Sequence, residues 1–291
     1  MTKLLQHKNY LDDWNREGIL ILKDILTLEE IEVYLKAIDE TLEASNYNLS
    51  NCKFEDTSHA HGKEYFNILN VIKYTDKLDR LLDHPKIFDI VTYILGPYIQ
   101  VMSMDLFVRH PNNKLNDLGR FHTDGGPSLQ KILPTNRNLP IQFKVQFFLT
   151  DMKDENMSNF VYIPRTHKKM VKFNHIFCYI PQCNKYVEKG MMPPDAIQVK
   201  IEAGDVIIHP YSLWHAVAPN HSTVTRKSIS VRYGQMWLKP YYDKLEKSLL
   251  NRLTERQRRL LGDYGESNRA DAPYRPSSDH VKIITGIDNK E

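Results

Sequence analysis

The sequence predicts a mostly β fold with helices packed on its outside. From Ile99 onward a two-residue period dominates the chain. In 141–149, Ile141, Phe143, Val145, Phe147 and Leu149 share one face, while Gln142, Lys144, Gln146 and Phe148 share the other. After Thr225 the alternation recurs: Arg226, Ser228, Ser230 and Arg232 lie opposite Lys227, Ile229, Val231 and Tyr233. Side chains at i and i+2 of a strand point the same way. A barrel with a polar cavity and an apolar exterior covered by helices produces this pattern. The Arg/Ser face reads as cavity lining.

The elements follow in order. Trp14 marks a short helix, and Gly18-Ile-Leu-Ile-Leu22 a strand after it. Thr27 is an N-cap, with Glu30 closing a capping box. Ile31, Leu35, Ile38 and Leu42 then recur at helical spacing. Residues 45–62 are polar and read as loop. Within them His59 and His61 imitate a metal pair, but no carboxylate stands at a useful spacing. A second helix starts at Pro85, carries Ile87, Ile90, Val91 and Ile94, and stops at Gly96-Pro97. Residues 99–109 form a strand. Segments 110–120, 125–140 and 164–196 are long connections, which in compact domains carry function or motion. The last of them, with Pro181, Pro193, Pro194 and several aromatics, is expected to be a lid. A helix from Glu255 to Leu261 ends at Gly262, and 263–291 is polar and turn-rich. One domain is expected over 1–291, with a helical part to about 98, a barrel core over about 99–240 and a C-terminal helix and tail over 241–291.

With 41% apolar residues among 291, the chain buries a real core. Its net charge of +3 is scattered, with no basic stripe interleaved with aromatics, so nucleic acid is not an expected partner. The three cysteines, Cys52, Cys178 and Cys183, have no zinc spacing and read as reduced thiols of a cytoplasmic protein. The first ten residues lack a signal-peptide core, and no apolar run is long enough for a membrane span.

Three pieces of the chain fit one iron site. His122 and Asp124, two positions apart, can grip one metal from a strand end, because i and i+2 share a side. A distant second histidine, His215, completes the 2-His-1-carboxylate set used for non-haem Fe(II), which leaves positions open for a cosubstrate and O2. Among twelve histidines an HxD pair alone is weak. His209 is a second candidate for the distal ligand, read more simply as a packed strand-end histidine, and His221 as a solvated loop residue. Trp214 and Trp237 read as core. Arg226 lies on the cavity face by parity, where a buried guanidinium needs an anionic partner. Ser228 shares its face.

The segment from Gly204-Asp205 through His215, Asn220 and Ser222 to Arg226 is more specific. With Phe147–Asp151 and the Asn159–His167 stretch, it resembles the phytanoyl-CoA dioxygenase-like family over roughly residues 11–240. The resemblance implies a double-stranded β-helix (jelly-roll or cupin-like) barrel with N-terminal helices outside. It also implies a dioxygenase that uses Fe(II), 2-oxoglutarate and O2. His122, Asp124 and His215 would hold the metal, and Arg226 the far carboxylate of 2-oxoglutarate, with Ser228 and Lys144 as further cosubstrate contacts. Arg120 and Arg232 are weaker candidates for the substrate. The implied reaction oxidises, most simply hydroxylates, an unactivated C–H bond of a small molecule, and releases succinate and CO2. A polar or anionic substrate is preferred, on Arg120, Lys144 and Arg232. The chain departs from the family at Arg165-Thr166, where Gly-Ser is usual, and at Val217, where a serine often touches the cosubstrate. The rival reading is a cupin-like metal-binding protein, or a metal-dependent isomerase or hydrolase without redox chemistry. Arg226 in the cavity argues against both.

Overall fold

The computed structural model describes residues 3–44, 65–112, 118–124, 129, 140–169, 179–242, 245–265 and 269–287. Nine strands, all paired antiparallel, are named among them. They are β1 (Leu20–Leu22), β2 (Tyr65–Ile68), β3 (Ile99–Arg109), β4 (Gln142–Phe148), β5 (Phe160–Tyr162), β6 (Ile197–Gln198), β7 (Val206–Pro210), β8 (His215–Val217) and β9 (Arg226–Gln235). They form a six-stranded sheet in the order β1-β7-β4-β9-β3-β2 and a three-stranded sheet in the order β6-β5-β8.

The expectation of one barrel needs correction. Among the described residues the two sheets do not close into a single hydrogen-bonded ring. They are joined by packing: Phe148 and Ile207 of the large sheet share an apolar cluster with Phe160 and Tyr162 of the small one. The strands of the small sheet are two or three residues long, too short to extend a continuous ladder.

Strand parity is borne out. Register places Lys144 opposite both Arg232 and His209, and Gln146 opposite Ser230. Ser103, Asp105, Phe107 and Arg109 of β3 fall opposite Arg232, Ser230, Ser228 and Arg226. One face of the large sheet is therefore polar and turned toward the small sheet. On the other, Phe143, Val145, Phe147, Leu149, Ile229, Val231 and Tyr233 belong to the main core. Among the helices that contribute to that core are α1 (Lys3–Glu17), α2 (Leu28–Ala44) and α3 (Phe88–Leu95). Trp14 of α1 meets the edge of Phe143 at 5.5 Å between ring centres. Truncating Phe147, which is fully buried, to alanine would cost ~3–5 kcal/mol.

The capping box of α2 forms: Thr27 N–H donates to Glu30 Oε2 at 3.0 Å, and Glu30 N–H to Thr27 Oγ1 at 3.2 Å. The second expected helix begins three residues late, at Phe88, because residues 79–83 form a 3-10 turn ahead of it. It stops at Gly96, whose φ of 78° favours glycine. The polar tail expectation is corrected too. Residues His280–Thr285 are helical, and Ile284 reaches the main core. Trp237 is 46% exposed rather than core. His59 and His61 lie outside the described residues. No described helix is long and apolar enough to cross a membrane.

Candidate metal centre

The segment carrying His122 and Asp124 runs beside β8. His122 N–H donates to His215 C=O at 2.9 Å, and His215 N–H returns to His122 C=O at 3.1 Å. The two histidines are thus directly opposed across an antiparallel bridge, where neighbouring side chains stand side by side. Their ring centres are 4.3 Å apart. Two positions on, Asp124 N–H donates to Tyr211 C=O at 2.8 Å, which keeps its carboxylate on the same side.

Each histidine is oriented by the backbone. His122 Nδ1 lies 2.9 Å from Arg120 C=O, and His215 Nδ1 lies 2.9 Å from Leu213 C=O. A carbonyl can only accept, so both Nδ1 atoms carry the proton and both Nε2 atoms present a lone pair. Burial holds both rings below the usual imidazole range, hence neutral; His122 adds to the effect on His215. Burial works against the Asp124 carboxylate, but Lys144 and then Arg232 outweigh it and hold the group well below its ordinary range. The three residues offer ligand atoms that all lie within 4.8 Å of one another. Two neutral Nε2 atoms and one carboxylate are the donor set of a facial Fe(II) site, so the residues fit that metal.

The buried Asp124 Oδ2 has no hydrogen bond within the protein. Lys144 Nζ stands 2.8 Å from it, an ion pair outside hydrogen-bonding angles. Arg232 approaches Oδ1 at 3.9 Å. Lys144 and Arg232 are cross-strand partners, so two like charges are held together by one carboxylate between them.

Arg226 lies further along the polar face of β9. It donates from Nη1 to Ser158 C=O at 2.6 Å, approaches Ser228 Oγ at 3.4 Å, and lies over the Phe148 ring at 5.3 Å. Ser228 is fully buried and accepts from Gln146 Nε2 at 3.0 Å. Asn220 and Ser222 build the turn before it. The Asn220 amide donates to the carbonyls of Arg109 and Val224 and accepts from Ser222 Oγ at 2.7 Å. Their part is to return the chain from β8 to β9 so that Arg226 enters the polar face. Val217, at the departure from the family pattern, offers no side-chain polar group. Its carbonyl accepts from Gly119 N–H at 2.9 Å.

Arg120 is exposed and rests over the Tyr179 ring at 5.3 Å. His209 is buried, with its ring centre 4.8 Å from that of His215. Burial pushes it down to about 3, and it stands outside the set of three ligand atoms. Its own Nδ1 meets Pro210 C=O at 3.3 Å. His221 is exposed.

Sequence reasoning missed Asn184. Its side chain accepts from Phe121 N–H at 2.7 Å and donates to Phe121 C=O at 3.0 Å, clamping the residue before His122. Ile180 N–H adds a bond to the same carbonyl at 2.9 Å. Asn184 sits in the helix Pro181–Val187, inside the stretch expected to be a lid. Within that stretch Ile180 and Cys183 pack with Phe121, Val161 and Ala216, while residues 170–178 lie outside the described residues. Proline at the first helical position was the available signal for this helix.

The sequence pattern of the phytanoyl-CoA dioxygenase family matches residues 14–228. No curated protein sequence matches the chain. Among solved structures, HygX from Streptomyces hygroscopicus with nickel, 2-oxoglutarate and hygromycin B bound is 13% identical with a TM-score of 0.63, covering 86% of this chain and 94% of that one. The non-haem 2-oxoglutarate-dependent carbocyclase SnoK from nogalamycin biosynthesis is 20% identical at 0.58, covering 85% and 90%. The epimerase SnoN, in complex with Fe3+, 2-oxoglutarate and a nogalamycin compound, is 15% identical at 0.60, covering 80% and 85%. These likenesses show the fold.

Proposed function

The chain belongs to the phytanoyl-CoA dioxygenase family, and from that premise we propose that it is a 2-oxoglutarate-dependent non-haem iron dioxygenase that hydroxylates a small molecule at an unactivated C–H bond. The observation that carries the reading is the pair of backbone-anchored histidines, His122 and His215, with Asp124 beside them. These three would hold Fe(II). Bound there with 2-oxoglutarate and O2, the metal would supply the oxidising power for the C–H bond, with succinate and CO2 as the cosubstrate's products.

The protein's own groups do the rest. Arg226, fixed by Ser158 and Phe148, directs a planar cation at the far carboxylate of 2-oxoglutarate, and Ser228 shares that carboxylate. Lys144 holds Asp124 in place and is a further contact for the cosubstrate. Arg232 stands on the same polar face, and Arg120 at the rim; their charge favours a polar or anionic substrate. Burial of Asp124 and His215 limits the access of water to the reacting atoms. The two facing sheets are those of a double-stranded β-helix within a single domain spanning 1–291. Three cysteines without metal or disulfide spacing fit a cytoplasmic setting.

The test is anaerobic addition of Fe(II) and 2-oxoglutarate. A weak visible metal-to-ligand charge-transfer band is expected, followed by succinate release when a panel of metabolites is added in air. Metal binding without that band would favour a cupin-like binding protein, or an isomerase or hydrolase using the same three ligands.

A further inference from the structure

The polar face does not end at Arg232. Beyond it stands Tyr241, whose ring lies 4.9 Å from the Arg232 guanidinium. Its hydroxyl and the Gln142 side-chain amide are within hydrogen-bond reach, at 3.2 and 3.3 Å. Tyr241 also walls a separate cavity of about 360 Å3, lined further by Asn70, Lys73, Lys239 and Tyr242. A cavity of that size suits a small ligand. No acidic side chain occurs among its described lining residues, and two ammonium groups do.

The backbone around Asn70 is shaped for this position. Asn70 adopts a left-handed conformation with φ 50°. Its N–H donates to Asp105 Oδ1 at 3.1 Å, and Ser103 Oγ donates to Asp105 Oδ2 at 2.8 Å. That carboxylate is thereby tied to the strand. Between Tyr241 of the cavity wall and the ligand Asp124 lies Arg232, whose Nε is buried and without a hydrogen bond within the protein. Arg226 and Arg232 are six residues apart on one strand, about 20 Å along its axis. The cosubstrate anion at Arg226 and this cavity are therefore at opposite ends of the face, with Asp124 close to the Arg232 end.

We infer that the Lys73–Lys239–Tyr241 cavity is the outer substrate subsite and takes an anionic group, a phosphate or a carboxylate, on the part of the substrate remote from the oxidised carbon. This rests on the proposed oxygenase reading, whose substrate class it narrows. Lys73 and Lys239 would hold the anion, the Tyr241 ring would carry the connecting part, and Arg232 would steer it toward Asp124.

Inorganic phosphate and acetate serve as probes, titrated by 31P and 13C NMR into the metal-free full-length protein. Wild type is expected to bind at least one of them. Lys73→Ala/Lys239→Ala should weaken that binding about tenfold, the scale of two exposed ion pairs. Lys73→Arg/Lys239→Arg, which keeps both charges, should retain it. The better-bound probe identifies the group as phosphate or carboxylate. Absence of binding by wild type, or equal binding by the alanine variant, would overturn the proposal. The charge-transfer band recorded on the same preparations reports separately on the oxygenase reading.

Discussion

His122 and His215 exchange backbone hydrogen bonds in both directions, at 2.9 and 3.1 Å, although they come from distant parts of the chain. Each also donates from Nδ1–H to the carbonyl two residues before it. Both Nδ1 atoms are thus held by main chain, with no carboxylate among the described residues behind either one, and the His215 ring also stacks on Phe160 at 5.3 Å. Backbone carbonyls cannot titrate, so the orientation of the ligands does not depend on pH through a second acid.

Alanine at His122, Asp124 or His215 is expected to abolish stoichiometric iron binding, measured by metal content after anaerobic loading. Alanine at His209 should leave iron bound. Loss of iron in His209→Ala with retention in His215→Ala would reverse the assignment of the distal ligand.

Arg226→Ala should raise the apparent KM for 2-oxoglutarate by about a hundredfold, from loss of a charge-assisted interaction of about 1.5–3 kcal/mol. Iron affinity should change little. An unchanged KM would remove Arg226 from the cosubstrate site.

Asn184→Ala removes both side-chain bonds to the Phe121 backbone. Freed from that clamp, the HxD segment should bind Ni(II) or Fe(II) about 10–100-fold more weakly, the usual cost of losing a group that orients a ligand. Calorimetric titration of the metal, alongside a thermal melt, checks this. Asn184→Asp should fall short of wild type as well, since it accepts from Phe121 N–H but cannot donate to Phe121 C=O. Wild-type metal affinity in both variants would show the clamp to be dispensable.

His167 is buried beside Gly18, where an added Cβ would lie 2.2 Å from its Nδ1. Burial, with Lys168 adding to it, pushes the ring down to about 4. The unfolded chain then binds the proton more readily, so stability is lost as pH falls below about 6.5 and continues to be lost down to about pH 4. The full effect is about 3 kcal/mol. Denaturant unfolding of wild type and His167→Gln over that range should show the slope flattened in the variant; parallel slopes would contradict it.

Much of this protein can be read locally. The capping box at Thr27, the stop at Gly96 and the two faces of β4 and β9 each depend on neighbours a few residues away, and each took the expected form. Parity alone put His122 with Asp124, and Arg226 with Ser228, on common faces. The strands of the small sheet and the helix in the tail were not readable, because packing rather than a sustained period stabilises elements of a few residues, and the helix inside 164–196 left only the signal of Pro181. What the tertiary structure alone decided is which of these faces meet. The His122–His215 bridge, the Lys144 ammonium against Asp124, the Asn184 clamp and the Ser158 carbonyl under Arg226 all join segments far apart in the chain. A strand's period of two says which side chains share a side. It carries no information on which strand will lie opposite, since that depends on long-range pairing and the packing of two sheets.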